Sequence, residues 1–223
     1  MKDFYVHQIF WDFNGNGMNS LFQDSKEQFE IWCSVNGYEY KLWTEKECDE
    51  LILEYPQYLD IYLTARYRIM KIDILRFLML HKFGGLYADL DVVPQIKKVK
   101  KEKDLYFVLD KCNAGRSKQY ITNEVLQVSK GHSLPISYLD YVVEQVKEKS
   151  DMEIYKVWKG RYVLQTTGVY AFTRYLNLNN YDYDFYTTNQ LEFKKGTWDC
   201  IGLGDWKNVD FKTHESNSWE NAL

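Results

Sequence analysis

The stretch from Thr64 to Phe83 constrains this chain more than any other. Ile69, Ile72, Leu75, Phe77, Leu78, Leu80 and Phe83 recur at helical intervals and make an apolar stripe wide enough that the helix must be buried. Gly84-Gly85 ends it, because glycine tolerates the backbone turn that closes a helix. Leu86-Tyr87-Ala88 then reads as a short buried strand, Asp89-Leu90-Asp91 falls at its end, and Val92-Val93-Pro94 closes it. A buried helix feeding directly into a buried strand belongs to a layered fold.

The flanking sequence supplies the other layers. Asp3 to Phe10 is rich in β-branched and aromatic residues and breaks at Asn14-Gly15-Asn16-Gly17, which predicts a first strand and a loop suited to a ligand. Ser20 to Val35 is expected to be a helix stopped by Gly37, and Tyr38 to Trp43 a second strand. Strand, helix and strand in that order indicate an α/β unit. Thr44 and Glu47 form a capping-box pattern that opens another helix. Further along, Leu105 to Leu109 is expected as a strand, Ser137 to Lys149 as a helix, and Tyr162 to Phe172 as a strand and turn. With 223 residues, 45% hydrophobic and 27% charged, one folded domain spanning 1–223 is expected and a disordered chain is excluded.

Charge and cysteine usage narrow the function. A formal net charge of -4 lacks the basic excess needed to neutralise a nucleic-acid backbone, so no nucleic-acid partner is expected, and the run Lys97 to Lys101 reads as a solvated face. Cys33, Cys48, Cys112 and Cys200 have no paired spacing, which suggests neither a zinc site nor a disulfide scaffold. The amino-terminal residues have no apolar signal core, and no run approaches the roughly 18 apolar residues of a membrane span. These features lead to the expectation of a soluble cytoplasmic protein, with its small size suggesting a bacterial or viral one.

Asp89 and Asp91 are candidate metal ligands, although an Asp-x-Asp pair also occurs at solvated strand ends. Mg²⁺ and Mn²⁺ prefer oxygen ligands and commonly use one or two carboxylates while substrate phosphates complete the shell. In an extended segment residues two apart share one face, so both carboxylates are expected on the same side of the strand end. Two adjacent acids repel unless one is protonated or a cation bridges them.

The block Lys71-Ile72-Asp73-Ile74-Leu75-Arg76 through Gly84-Gly85-Leu86-Tyr87-Ala88-Asp89-Leu90-Asp91 resembles the sugar-binding region of glycosyltransferase family 32, which includes yeast-type mannosyltransferases and is related to the glucosylating domains of clostridial toxins. His7 to Trp11 looks like that family's opening strand. Thr167-Gly168-Val169 looks like its Thr-Gly-Pro segment, with Val169 in place of Pro, and His214 to Trp219 looks like its terminal element. The resemblance implies a GT-A fold, Rossmann-like with a mixed central sheet flanked by helices, and a metal-dependent, retaining transfer of a hexose from a nucleotide sugar. A UDP-sugar is favoured over GDP-mannose, and a glycan, lipid or protein is the acceptor.

Under that resemblance Asp91 ligates Mn²⁺ or Mg²⁺, and Asp89 supports the ion and contacts the donor. Asp73 and Arg76, three apart on one helical face, grip the sugar, although such a pair can also be a plain helix ion pair. Phe10 and Trp11 end the first strand, where Trp11 either stacks on a base or packs in the core. His214 is the third-ligand candidate beside Glu215 and Ser218, and Trp219 either closes over the pyrophosphate or lies in an exposed tail. Asn123 either holds a hydroxyl or bonds at the surface. His7, His81 and His132 are expected to be structural. A nucleotide-sugar hydrolase and a non-catalytic sugar-nucleotide or glycan-binding module remain the alternatives.

Overall fold

The computed structural model describes residues 4–110, 120–188, 191–193, 200–202 and 209–214. Its centre is a six-stranded mixed sheet in the order β2-β1-β3-β6-β5-β7. The strands are β1 (Tyr5–Ile9), β2 (Glu39–Trp43), β3 (Gly85–Ala88), β5 (Leu105–Asp110), β6 (Tyr120–Val128) and β7 (Asp184–Tyr186). β1 runs parallel to both β2 and β3, β6 runs antiparallel to β3 and β5, and β7 runs parallel to β5. β4 (Val92–Pro94) and β10 (Phe211–Thr213) form a small antiparallel pair, as do β8 (Leu191–Phe193) and β9 (Cys200–Gly202).

Strand alternation divides the core in two. Leu86 and Ala88 of β3 face α1 (Ser20–Asn36) and the β4–β10 pair, in a cluster with Phe29, Trp32 and Phe211. Tyr87 faces the opposite layer, which contains α2 (Glu45–Ile52), α3 (Pro56–Leu63), α4 (Arg68–Phe83), α5 (Leu134–Lys149) and α8 (Val169–Leu178). β5 alternates in the same way, Phe107 joining the α4 layer and Tyr106 and Val108 the α1 layer. Helices on both sides of a mixed sheet are the α/β architecture expected. Among the described residues, no helix is long and apolar enough to cross a membrane.

Local signals account for many boundaries. Asn19 caps α1 by accepting from Phe22 N at 2.9 Å, and Gly37 closes it in the left-handed region. Thr44 and Glu47 make the expected capping box at α2. Gly84 and Gly85 both have positive φ, and a Cβ on Gly85 would lie 2.1 Å from Tyr5 O, so the helix-to-strand passage needs glycine for room as well as for conformation.

Three expectations are corrected. The helix expected from Thr64 begins at Arg68, and a separate α3 with Pro56 in its first turn precedes it. Tyr162 to Phe172, expected as a strand and turn, lies in α7 (Lys159–Thr166) and α8 instead. Its β-branched and aromatic residues mimic a strand, but Tyr162, Val163 and Thr166, then Ala171, Phe172, Tyr175 and Leu176, are buried at helical spacing. The Asp89-Leu90-Asp91 segment is a turn closed by Val92 N donating to Asp89 O at 3.1 Å, not an extended strand end.

Candidate active site

A cleft of about 400 Å³ opens at the carboxyl ends of β1 and β3, beside the middle of β6. Phe10, Trp11, Asp73, Arg76, Asp89, Asp91 and Asn123 all line it, so seven of the residues singled out in the sequence converge there. Strand order explains this: β1, β3 and β6 are adjacent in the sheet, and α4 leads directly into β3.

Asp73 is the hub. It is 5% exposed, on the buried face of α4, and three elements bind its carboxylate. Oδ1 accepts from Asn123 Nδ2 at 3.1 Å and faces Arg76 Nη2 at 3.1 Å, while Oδ2 accepts from Thr167 Oγ1 at 2.7 Å. Burial raises its pKa, with Arg76, Thr167 and Asn123 pulling the other way. The expected Asp73–Arg76 pairing is therefore present, inside the cleft wall and not on a solvated helix face.

Arg76 ties this hub to the turn. Its Nη1 donates to Asn123 O at 2.5 Å, Nη2 lies 3.5 Å from Asp89 Oδ1, and the guanidinium sits 4.8 Å from the centre of the Tyr87 ring. Burial opposes its charge, but Asp89, Tyr87 and Asp73 outweigh it and raise the pKa, so Arg76 stays a cation. Its Nε is buried with no hydrogen-bond partner.

Asp89 is held on both sides. Its Oδ1 accepts from Tyr87 OH at 2.6 Å, and its N donates to Glu124 O at 2.8 Å. Burial pushes its pKa up to about 6, Arg76 opposes the rise, and neighbouring Asp91 adds to it. One fixed cation, Arg76, thus stands among the three acids Asp73, Asp89 and Asp91.

His214 N donates to Asp91 O at 2.8 Å, because pairing of β10 with β4 sets Thr213 opposite Val92 and brings the next residue beside the acid. Burial lowers the His214 pKa, Lys212 lowers it further, and Asp91 and Asp24 oppose both. Glu215, Ser218 and Trp219 lie outside the described residues.

The Asp89 and Asp91 carboxylates suit a hard divalent cation, whereas His214 meets Asp91 through the backbone and is not among the residues lining the cleft. Among the described residues no three His, Cys, Asp or Glu side chains gather as a ready metal cage. A site completed by substrate phosphates does not require one.

Trp11 is 5% exposed and packs in the α4-side core with Cys48, its ring meeting Phe13 edge-on with the Arg68 guanidinium beside it. Core packing is thus realised, while its remaining edge reaches the cleft. Phe10, Phe13 and Phe22 are only partly buried and offer more free ring area there. Asn123, read as more at home in surface bonding, is a cleft residue bonded to Asp73. The other histidines are structural as expected. His7 faces Gly84 O through Nε2 at 3.0 Å and accepts from Trp43 Nε1 at 3.2 Å; His81 bonds to Tyr55 OH, and His132 accepts from Leu134 N.

Sequence reasoning missed β6, and with it Glu124, which lines the cleft and accepts from Thr122 and Thr213 hydroxyls at 3.2 Å each. The polar run Thr122-Asn123-Glu124 disguises the strand, although Ile121, Val125, Leu126 and Val128 carry its signal. Tyr87 and Thr167 stood in recognised motifs, but no local pattern tells that their hydroxyls grip Asp89 and Asp73.

Two family models match. The glycosyltransferase sugar-binding region containing a DXD motif covers residues 17–107, and the TcdA/TcdB catalytic glycosyltransferase domain covers 71–177. The first match contains Asp73, Arg76, Asp89 and Asp91, and the second also contains Asn123 and Thr167. Inositol phosphoceramide mannosyltransferase 3 of Schizosaccharomyces pombe is 45% identical over 56 residues, 25% of this chain and 16% of that protein. A mannosyl phosphorylinositol ceramide synthase of Saccharomyces cerevisiae is 42% identical over 55 residues, 24% of this chain and 15% of that protein. The chain thus spans about a sixth of the length of these curated relatives. Among solved structures, the PaToxG glycosyltransferase superposes with a TM-score of 0.53 at 15% identity, covering 79% of this chain and 69% of that one. The shared fold is GT-A.

Proposed function

We infer from a chain that carries the DXD-containing sugar-binding region of the glycosyltransferases that residues 1–223 act as one metal-dependent, retaining hexosyltransferase unit, using a nucleotide sugar as donor. The observation that carries the reading is the bonded network of Asp73, Arg76 and Asp89 in the cleft wall, with Asp91 on the same turn and His214 beside it. A binding protein needs polar groups; a fixed cation beside adjacent acids also suits charge developing on a departing phosphate.

Each residue then has a role. Asp73, immobilised by Asn123 and Thr167, is oriented to accept from donor sugar hydroxyls at the cleft edge. Arg76 lines the cleft as a fixed cation, and its charge neutralises part of the diphosphate as the glycosidic bond breaks. Asp91, with Asp89 and His214, would hold Mn²⁺ or Mg²⁺, which supplies electrostatic stabilisation of the nucleoside diphosphate leaving group. Partly buried phenyl rings of Phe10, Phe13 and Phe22, with the edge of Trp11, provide an apolar wall for the base. In a same-face mechanism the acceptor hydroxyl passes its proton toward the leaving phosphate, so no side-chain nucleophile is needed.

The sequence reading favoured a UDP-hexose. The fungal relatives are named for mannosyl transfer to inositol phosphoceramide, which puts GDP-mannose and a lipid-borne acceptor on equal footing with it. The deciding experiment scores UDP- and GDP-sugars with Mn²⁺ for nucleoside diphosphate release and for free sugar against glycosylated product. One donor should stand out, and Asp91→Ala should lower turnover at least about a hundredfold. A flat response to all donors, or full activity after exhaustive chelation, would overturn the reading; free sugar as the sole product would make it a hydrolase.

A further inference from the structure

The link between α5 and α7 turns apolar side chains outward. Among the described residues nine large apolar side chains are exposed, and four of them, Met152, Ile154, Val157 and Trp158, fall within seven consecutive positions. Exposed apolar residues scattered singly are ordinary, but a contiguous group marks a contact surface. The segment is anchored from beneath: Tyr155 is buried in a cluster with Met70, Tyr162 and Val163, and the short α6 (Ile154–Val157) leads into Trp158, whose N donates to Ile154 O at 3.1 Å. Tyr155 fills the inner face, while Val157 is 79% and Trp158 54% exposed on the outer one.

Its surroundings are basic. Lys156, Lys159 and Arg161 are exposed on the same segment, and Arg66 lies alongside, its guanidinium 4.4 Å from the Tyr162 ring centre and its Nη2 donating to Ser150 O. Two acids, Asp151 and Glu153, stand against these four cations, and Glu153 pairs with Lys156. This local excess of positive charge occurs on a chain whose net charge is -4. Tryptophan and aliphatic side chains with a lysine and arginine border are the composition that settles at a membrane interface, the rings at headgroup depth and the cations against anionic lipid.

The position also fits. α7 starts immediately after Trp158, and its Val163 and Leu164 line the cleft. Six helical residues from Trp158 to Leu164 advance about 9 Å at the α-helical rise. We propose that the Met152–Arg161 face seats on an anionic lipid surface and holds the cleft mouth close to it. The seating stands apart from the reaction; only the corollary, that the acceptor is presented at that surface, rests on the transferase reading.

The test is co-sedimentation of the whole protein with phosphatidylcholine vesicles, with and without about a third phosphatidylserine, at low and high salt. Wild type should bind the anionic vesicles and lose them in high salt, because screening removes the charge contribution. Val157→Asp combined with Trp158→Ser should weaken that binding at least tenfold, and Lys156→Glu with Arg161→Glu should reduce it to the neutral-vesicle level. Both pairs are on the surface, and an unchanged melting temperature checks their fold. Nucleoside diphosphate release in solution is read in parallel and should be unchanged in both, so failure to bind vesicles and failure to turn over donor are separate results. Absence of wild-type binding, equal binding to neutral vesicles, or undiminished binding by the variants overturns the proposal. So does a wild-type dimer that the Val157/Trp158 variant dissolves, which would assign the face to self-association.

Discussion

Tyr87 lines the cleft and ties the acidic turn to the core through one hydroxyl. Its ring is buried beside the Arg76 guanidinium, and its OH occupies Asp89 Oδ1 at 2.6 Å. Tyr87→Phe removes that bond, keeps the packing, and leaves the acid held by Arg76 alone. The expected result is about a tenfold loss in kcat/KM with a melting temperature close to wild type, measured by donor-release kinetics and thermal unfolding. Gly85 is the opposite case, since its importance is wholly structural. A side chain there meets Tyr5 O at 2.1 Å with φ at +98°, so Gly85→Ala should cost about 3 kcal/mol or more, read as a lowered denaturant midpoint.

Among the elements, α2 illustrates stability separable from chemistry. Thr44 N donates to Glu47 Oε2 at 2.9 Å and Glu47 N to Thr44 Oγ1 at 3.4 Å, so the box satisfies two amides of a helix that contributes Cys48, Leu51 and Ile52 to the core. Thr44→Ala should cost about 1 kcal/mol, a fall of about 2–4 °C in melting temperature, while activity is unchanged. α4 and β6 couple the two concerns. The buried face of α4 packs the core through Leu75, Phe77, Leu78 and Leu80 and in the same turns presents Asp73 and Arg76 to β6. Much of these elements was legible beforehand: the apolar period of α4, its Gly-Gly exit and the α2 box are written in near neighbours. β6 was not, because Thr122, Asn123 and Glu124 stand in succession, the last two lining the cleft, and break the alternation by which strands are recognised.

At the scale of the whole molecule, stability should depend on pH through His7. This ring is fully buried between Gly84 O and Trp43 Nε1, and burial lowers its pKa from 6.5 to about 4, with the Gly84 bond opposing and Lys41 assisting. The unfolded chain therefore binds a proton at a higher pH than the folded one. The stabilisation is complete above pH 6.5 and is lost as pH falls through that value toward 4, about 3 kcal/mol in full. Urea midpoints at pH 7.5 and 4.5 should differ more for the wild type than for His7→Gln; equal differences would remove His7 as the cause.

The sequence by itself determined the α/β class, the buried helix with its glycine exit, the paired acids and the Asp73–Arg76 spacing, because these depend on periods and caps that span only a few residues. Tertiary structure alone decided that Thr167, 94 positions away, and Asn123, 50 away, would close on Asp73. It also decided that β10 would deliver His214 to Asp91. Such contacts depend on strand order and on which helix covers which face, and those are settled only when distant segments compete to bury apolar area and to pair their buried polar groups.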